Sequence, residues 1–256
     1  MSILNSVILG IIEGITEFLP ISSTAHLILG ADLLKIAESE FLKSFEIIIQ
    51  TGAILAVIVY YFKKLLDIEV IKRLIVAFIP TGIIGLTVYK IVKEYFLGNV
   101  SVVLWSLFVG GVLMVLIEKF YFKEKMAKEV DVRDISYKNC LLIGLFQSVA
   151  VIPGVSRSAA TIIGGMSLGL SRQTIVEFSF LLAVPTIMAA SILDIYKNMD
   201  TFQSGDFSIL GIGFVASFIS ALLAIKFLLN YVKKHDFTLF GVYRIVLVLC
   251  FLIIAK

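Results

Sequence analysis

The chain has 256 residues, 59% of them hydrophobic and only 16% charged, with a net charge of +3. Soluble domains carry about 25% charged residues, so a soluble enzyme and a nucleic-acid binder are both excluded. A mean hydropathy of +1.04 points to an all-α, polytopic integral membrane protein, with residues 1–256 forming a single membrane domain.

In chain order, the first apolar stretch, 3–34, is interrupted by FLPISSTAH. Its N-terminus lacks the basic region of a cleavable signal and is expected to stay in the mature protein. Span-length apolar runs follow at 45–62, 74–92 and 101–118, then a basic loop at 119–138. A second interrupted stretch, 139–170, is broken by VIPGVSRSAAT, and three more spans follow at 177–195, 208–230 and 238–255. Proline and glycine beside hydroxyls break a helix, and the freed backbone groups survive at membrane depth only in a wet cavity or buried in protein. The pattern therefore predicts six transmembrane helices plus two re-entrant helix-loop-helix hairpins.

Lysine and arginine orient this arrangement. If six spans alternate, Lys63, Lys64, Lys72, Arg73, Lys119, Lys123, Lys125, Lys128, Arg133, Lys138, Arg172, Lys233 and Lys234 share one side. Lys35, Lys43, Lys93, Lys197 and Lys256 take the other. The richer side is expected to be cytoplasmic, with both termini outside, the first hairpin entering from outside and the second from inside. Lys90, Arg157, Lys226 and Arg244 sit within or at the edge of apolar segments.

An internal repeat supports this geometry. GIIEGITEFLPISSTAHLILG from Gly10 and GLFQSVAVIPGVSRSAATIIGG from Gly144 both run glycine, apolar helix with one polar residue (Glu13, Gln147), proline (Pro20, Pro153), then hydroxyls. The copies lie about half the chain apart, giving halves of about 1–118 and 139–256 joined by the loop 119–138. Three intervening spans make the second copy inverted, and inverted repeats with broken helices build binding sites near the midplane of transporter-like folds.

The polar residues within these stretches carry the chemistry. Glu13 and Glu17 stand one turn apart on one helix face. Each ionisable group at the bilayer centre costs about 2.5–3.5 kcal/mol on insertion scales, so the pair calls for a cation, an arginine or a proton between them, unless it sits in interfacial water. His26 follows Ser23 by three residues, a spacing that lets one turn present hydroxyl and imidazole together; alternatively Ser22 or Ser23 caps the helix that starts near Thr24. In Pro153-Gly154-Val155-Ser156-Arg157-Ser158, a broken helix with an arginine favours an anion, phosphate above all, while Arg157 could also serve as counter-ion to Glu13 or Glu17. Glu46, Gln50, Glu177 and Arg244 are weaker candidates, and His235 sits in a basic loop as a solvated residue. Gly110-Gly111 and Gly211 with Gly213 suit close helix contacts, including a dimer face. Cys140 and Cys250 lie far apart in apolar sequence and suit packing. Carboxylates able to hold Mg²⁺, an arginine for phosphate and a serine or histidine able to accept a phosphoryl group together fit phosphoryl transfer.

At these residues the chain resembles the undecaprenyl-diphosphate phosphatase family of bacitracin-resistance proteins. EGITEFLPISSTAH looks like that family's EGxTEFLPxSSTGH, and PGVSRSAAT like its PGxSRSGAT; SFEIIIQTGAILAV and EFSFLLAVP also resemble family segments. Ala25 and Ala159 depart from the family's glycines without removing a functional group. The resemblance implies a plasma-membrane phosphatase that converts a polyprenyl diphosphate lipid to the monophosphate carrier for cell-wall synthesis. It implies Glu13 and Glu17 as metal and acid/base residues holding a divalent cation, Mg²⁺ or Ca²⁺. It also implies Ser23 and His26 around the nucleophile, and Arg157 with Ser156 on the diphosphate, with Ser22, Thr24, Gly154 and Ser158 completing the substrate site. A site opening to the outer face and a homodimer are implied too. Ser23 with His26 as base is favoured over a phosphohistidine. The phosphatidate-phosphatase class is disfavoured, because after Ser156-Arg157 no histidine occurs until His235. The rivals are a transporter or flippase of the lipid phosphate and a protein that only sequesters it.

Overall fold

A computed structural model describes residues 1–91, 99–121, 127–198 and 206–254. The expected span ends at 92 and 255, and Lys93, Lys123, Lys125 and Lys256, lie outside the described residues, as do the side chains of Lys90 and Lys197.

The elements are α1 (Ile3–Thr16), α2 (Ser23–Leu33), α3 (Glu40–Tyr60), the short α4 (Phe62–Leu65), α5 (Ile68–Ile91), α6 (Val100–Leu116), α7 (Tyr137–Ser148), α8 (Arg157–Ser167), α9 (Arg172–Asn198), α10 (Asp206–Tyr231) and α11 (Thr238–Ile254). A π-helical turn, Ile117–Tyr121, extends α6, and 3-10 turns cover Val132–Asp134 and Val149–Val151. Among the described residues there is no strand; one isolated bridge pairs Lys128 with Leu170. Hydroxyl caps start several helices: Ser2 accepts from the Asn5 amide, Ser39 from Leu42 and Ser136 from Asn139.

Among the described residues, five helices are long and apolar enough to cross a membrane: α3, α5, α6 with its π turn, α9 and α10. The sixth expected span, α11, is apolar but only 17 residues long. Both interrupted stretches are helix, break, helix, as expected. The apolar runs mark only the apolar part of longer helices: α3 begins at Glu40 rather than 45, α5 at Ile68 rather than 74 and α9 at Arg172 rather than 177. Charged residues in a first or last turn interrupt hydropathy but not the backbone ladder.

α2 and α8 are each eleven residues, and Ser23 and Arg157, their first residues, lie 134 positions apart. α1 packs along α10 and α7 along α5; α6 lies on α11, and α3 on α9. Glycines permit the close approaches: a Cβ on Gly14 would fall 2.1 Å from Ser220 Oγ, and one on Gly144 2.0 Å from the Ala77 carbonyl. Gly110 and Gly111 meet Arg244 and Gly241 in the same way, so their close contacts lie inside the chain.

Charges gather at one end of α9. Arg172 forks onto Glu118 at 2.9 and 2.6 Å, and Glu118 also accepts the Phe237 amide. Lys64 pairs with Glu177 and reaches Asp131 at 3.7 Å. The Arg133 backbone amide on Asp131 holds its carboxyl below the usual range. Glu177, a weaker site candidate, thus has a structural ion pair. The core beneath is aromatic, with Phe18 and Phe180 fully buried and edge to face at 5.1 Å.

Candidate active site

Two broken-helix loops meet in the interior. α1 ends at Thr16, and Pro20, which lacks the amide and crowds the preceding turn, disfavours helix beyond it; the chain turns at Ser22, whose φ is +71°, and restarts as α2. After α7 it turns at Gly154 (φ +90°) and Ser156 (φ +73°) and restarts as α8. Positive φ at a non-glycine residue is sterically costly, and here it occurs in both loops at the residue just before the restarted helix. Each of these serines also caps its helix: Ser22 Oγ accepts from the Ala25 amide at 3.4 Å and Ser156 Oγ from Ala159 at 3.2 Å. The capping reading of Ser22 therefore holds, with the helix starting at Ser23 rather than Thr24.

The loops are fastened together. Ser158 Oγ donates to the Leu19 carbonyl at 3.0 Å and lies 3.2 Å from Ser156 Oγ. Arg244, fully buried on α11, donates to five carbonyls: Pro20 of the first loop, Gly154 and Val155 of the second, and Ser106 and Leu107 of α6, at 3.1–3.3 Å. Its positive charge is spread over carbonyl dipoles and makes a hub that fixes both loops to α6 and α11.

At the junction, Ser23 Oγ donates to Glu17 Oε2 at 2.5 Å, and Arg157 Nη2 donates to Glu17 Oε1 at 3.1 Å. Arg157 Nη1 is held by the Ser179 carbonyl at 2.8 Å, and its Nε has no partner. The Glu17 and Arg157 side chains are only 6% and 10% exposed, so this ion pair is largely desolvated. Glu13 is fully buried one turn earlier, and neither of its carboxylate oxygens meets a donor. The charged groups around it are Glu17, Glu46 and Arg157.

Glu17, Ser22, Ser23, Thr24, Gly154, Ser156 and Arg157 line one cavity of about 250 Å³. Its far wall is polar as well: Gln147 Nε2 donates to Thr81 Oγ1 at 2.9 Å and to Thr186 Oγ1 at 3.2 Å, and Gln50 lies on the same surface. Sequence reasoning singled out Gln147 only as the repeat counterpart of Glu13, and missed Thr81 and Thr186, because a lone threonine in an apolar span carries no signal. Glu13, His26 and Ser158 do not line the cavity. His26 does not pair with Ser23: its Nδ1 lies 2.8 Å from the Ser22 carbonyl and its Nε2 2.7 Å from the Tyr243 hydroxyl.

No group of three or more histidine, cysteine or acidic side chains forms a metal cage among the described residues. The donor set nevertheless fits a hard cation of the Mg²⁺ type, which takes one or two carboxylates and completes its shell with water and substrate phosphate. Neither Glu13 oxygen meets a donor and the Glu17 carboxyl lies close by, whereas Arg157 and Ser23 already occupy Glu17.

Fold and site together define a class: an all-helical membrane protein whose interior holds a hydroxyl, a carboxylate and an arginine around one cavity. Residues 6–250 match the family described as bacitracin resistance protein BacA, and the chain belongs to that family. Among curated proteins it is 53% identical to an undecaprenyl-diphosphatase of Sulfurihydrogenibium sp. over 96% of this chain and 97% of that protein. It is 52% identical to an undecaprenyl-diphosphatase of Aquifex aeolicus (95% and 94% covered) and 50% identical to one of Persephonella marina (99% of each).

Proposed function

We propose that the chain is an integral membrane phosphatase that hydrolyses undecaprenyl diphosphate to the monophosphate carrier and inorganic phosphate, the recycling step behind bacitracin resistance. Its family and its full-length relatives of the same activity support this. The observation that carries the mechanism is the contact of Ser23 Oγ with Glu17 Oε2, beside Arg157, on the wall of one cavity.

Ser23 attacks the terminal phosphorus while Glu17 takes its proton. The Oγ–P bond forms, the bridging P–O bond breaks, and the lipid monophosphate leaves. Glu17 gives that proton to the departing lipid monophosphate; water then attacks the phosphoserine and gives a proton to Glu17, which returns it to Ser23 Oγ as the Oγ–P bond breaks and phosphate is released. Glu17 takes the part of base that sequence spacing gave to His26, because both imidazole nitrogens are engaged elsewhere. Arg157 is held at one end by the Ser179 carbonyl, and its fork turns from Glu17 to the incoming diphosphate. Ser156, at the start of the second restarted helix, adds a hydroxyl beside it, and Thr24 and Ser22 face the same space. Glu13, with Glu17, would hold the divalent cation, Mg²⁺ or Ca²⁺. That ion would neutralise diphosphate charge during transfer.

The same reading extends to the membrane. α11 is the sixth crossing, α1–α2 and α7–α8 are re-entrant hairpins of an inverted repeat, and the charge-rich end of α9 is cytoplasmic. Both termini and the mouth of the site face outward from the plasma membrane. The matched helix lengths and the reciprocal packing of α1 with α10 and α7 with α5 support this arrangement. A homodimer follows from the family resemblance.

The test is phosphate release from undecaprenyl diphosphate in detergent with Mg²⁺ or Ca²⁺, for the native protein and Ser23→Ala, together with binding of the lipid diphosphate. The proposal expects release by the native protein and none by Ser23→Ala, which still binds. Binding without release by the native protein would move the assignment to transport or sequestration.

A further inference from the structure

The His26 imidazole is held at both nitrogens. The Ser22 carbonyl, 2.8 Å from Nδ1, can only accept, so Nδ1 carries the proton. In the neutral ring Nε2 then presents a lone pair, and the Tyr243 hydroxyl, 2.7 Å away, donates to it. The two rings lie parallel within 5°, centroids 5.6 Å apart. The charged group that acts on this ring is Arg244, the next residue along α11. The ring therefore sits under a cation that already grips Pro20 and Gly154.

What the imidazole grips matters for the reaction. The Ser22 carbonyl receives the His26 backbone amide at 3.3 Å as well as Nδ1, and Ser22 is the left-handed residue that turns the chain so that Ser23 meets Glu17. A second donor on that carbonyl opposes relaxation of the strained turn. Tyr243 is 41% exposed, so burial of its ring does not account for its place. The hydroxyl is the part that engages the loop.

We propose that Tyr243 is a positioning residue: its hydroxyl, donated to His26 Nε2, fixes the imidazole with its proton on Nδ1, and Nδ1–H holds the Ser22 carbonyl that sets Ser23 against Glu17. His26 is thereby a strut and neither base nor phosphoryl acceptor. The kinetic half of this inference rests on the phosphatase reading; the tautomer does not.

The experiment is nitrogen NMR of imidazole-labelled protein in detergent, carrying His235→Gln so that His26 alone is observed, with and without Tyr243→Phe, and phosphate-release kinetics of the same proteins. The native ring is expected to show a protonated Nδ1 and a bare Nε2, the reverse of the tautomer that free histidine favours. Tyr243→Phe keeps the stacked ring and removes one hydrogen bond. It should shift the Nε2 resonance and lower kcat about tenfold, with KM changed less than about twofold. A protonated Nε2 in the native protein, an unchanged spectrum in Tyr243→Phe, or a native kcat in that variant would each overturn the proposal. Native protein that releases no phosphate but shows the expected tautomer would instead count against the phosphatase reading alone.

Discussion

Replacing Glu17 by glutamine keeps the shape of the side chain and removes its charge. Arg157, 10% exposed, then keeps the Ser179 carbonyl but loses its counter-ion, while Ser23 loses a base. Removing one partner of a buried pair costs about 3–5 kcal/mol, and the remaining carbonyl contact argues for the lower end, about 3 kcal/mol. For a chain of this size that lowers the melting temperature by about 6–12 °C. Loss of a general base costs about 10²–10⁴ in rate, so phosphate release should fall at least a hundredfold, about the minimum for that loss. The double variant Glu17→Gln, Arg157→Met separates the two effects. Removing both charges should recover about 1–3 kcal/mol relative to the sum of the singles, while leaving activity as low as in Glu17→Gln. The assay is thermal unfolding in detergent beside phosphate release. Additive losses in stability would refute the buried pair, and Glu17→Gln with near-native turnover would refute its part as base.

Gly154→Ala should destabilise the second loop by more than about 1 kcal/mol, because φ is +90° and the new Cβ would meet the Val103 carbonyl at 2.6 Å; thermal unfolding measures this. Arg244→Met should lower both stability and turnover, since carbonyls of both loops lose their donor and each buried unsatisfied group costs about 1–3 kcal/mol. Faster hydrogen exchange in both loops would report the same loosening. Glu13→Gln should raise the divalent-cation concentration needed for half-maximal phosphate release about tenfold or more, the loss expected for a charged ligand, with little change in unfolding temperature because its oxygens have no protein donor to lose. A metal titration checks it.

Much of this site is legible in the sequence. Pro20 and Pro153-Gly154, each followed by hydroxyls, located both breaks, because few residues can stop a helix inside an apolar run. The improbability of Glu17 and Arg157 in such runs marked both as candidate site residues, with Arg157 as counter-ion to Glu13 or Glu17 only the second of two readings. Directions were not legible. A spacing of three residues brings Ser23 and His26 to neighbouring positions on a helix surface, but the imidazole turns to Tyr243, 217 positions away, and the serine to Glu17 across the turn. Ser158 was expected on the substrate and braces Leu19 instead. Arg244 was only a weak candidate because its partners are backbone carbonyls, which leave no trace in side-chain identity.

The central claim is that Ser23 receives the phosphoryl group. The most direct measurement is an acid quench of protein turning over undecaprenyl diphosphate labelled in its terminal phosphate, followed by peptide mapping of the trapped enzyme. Label is expected on Ser23 and absent from Ser23→Ala. Label on His26, or on any other residue, would contradict it.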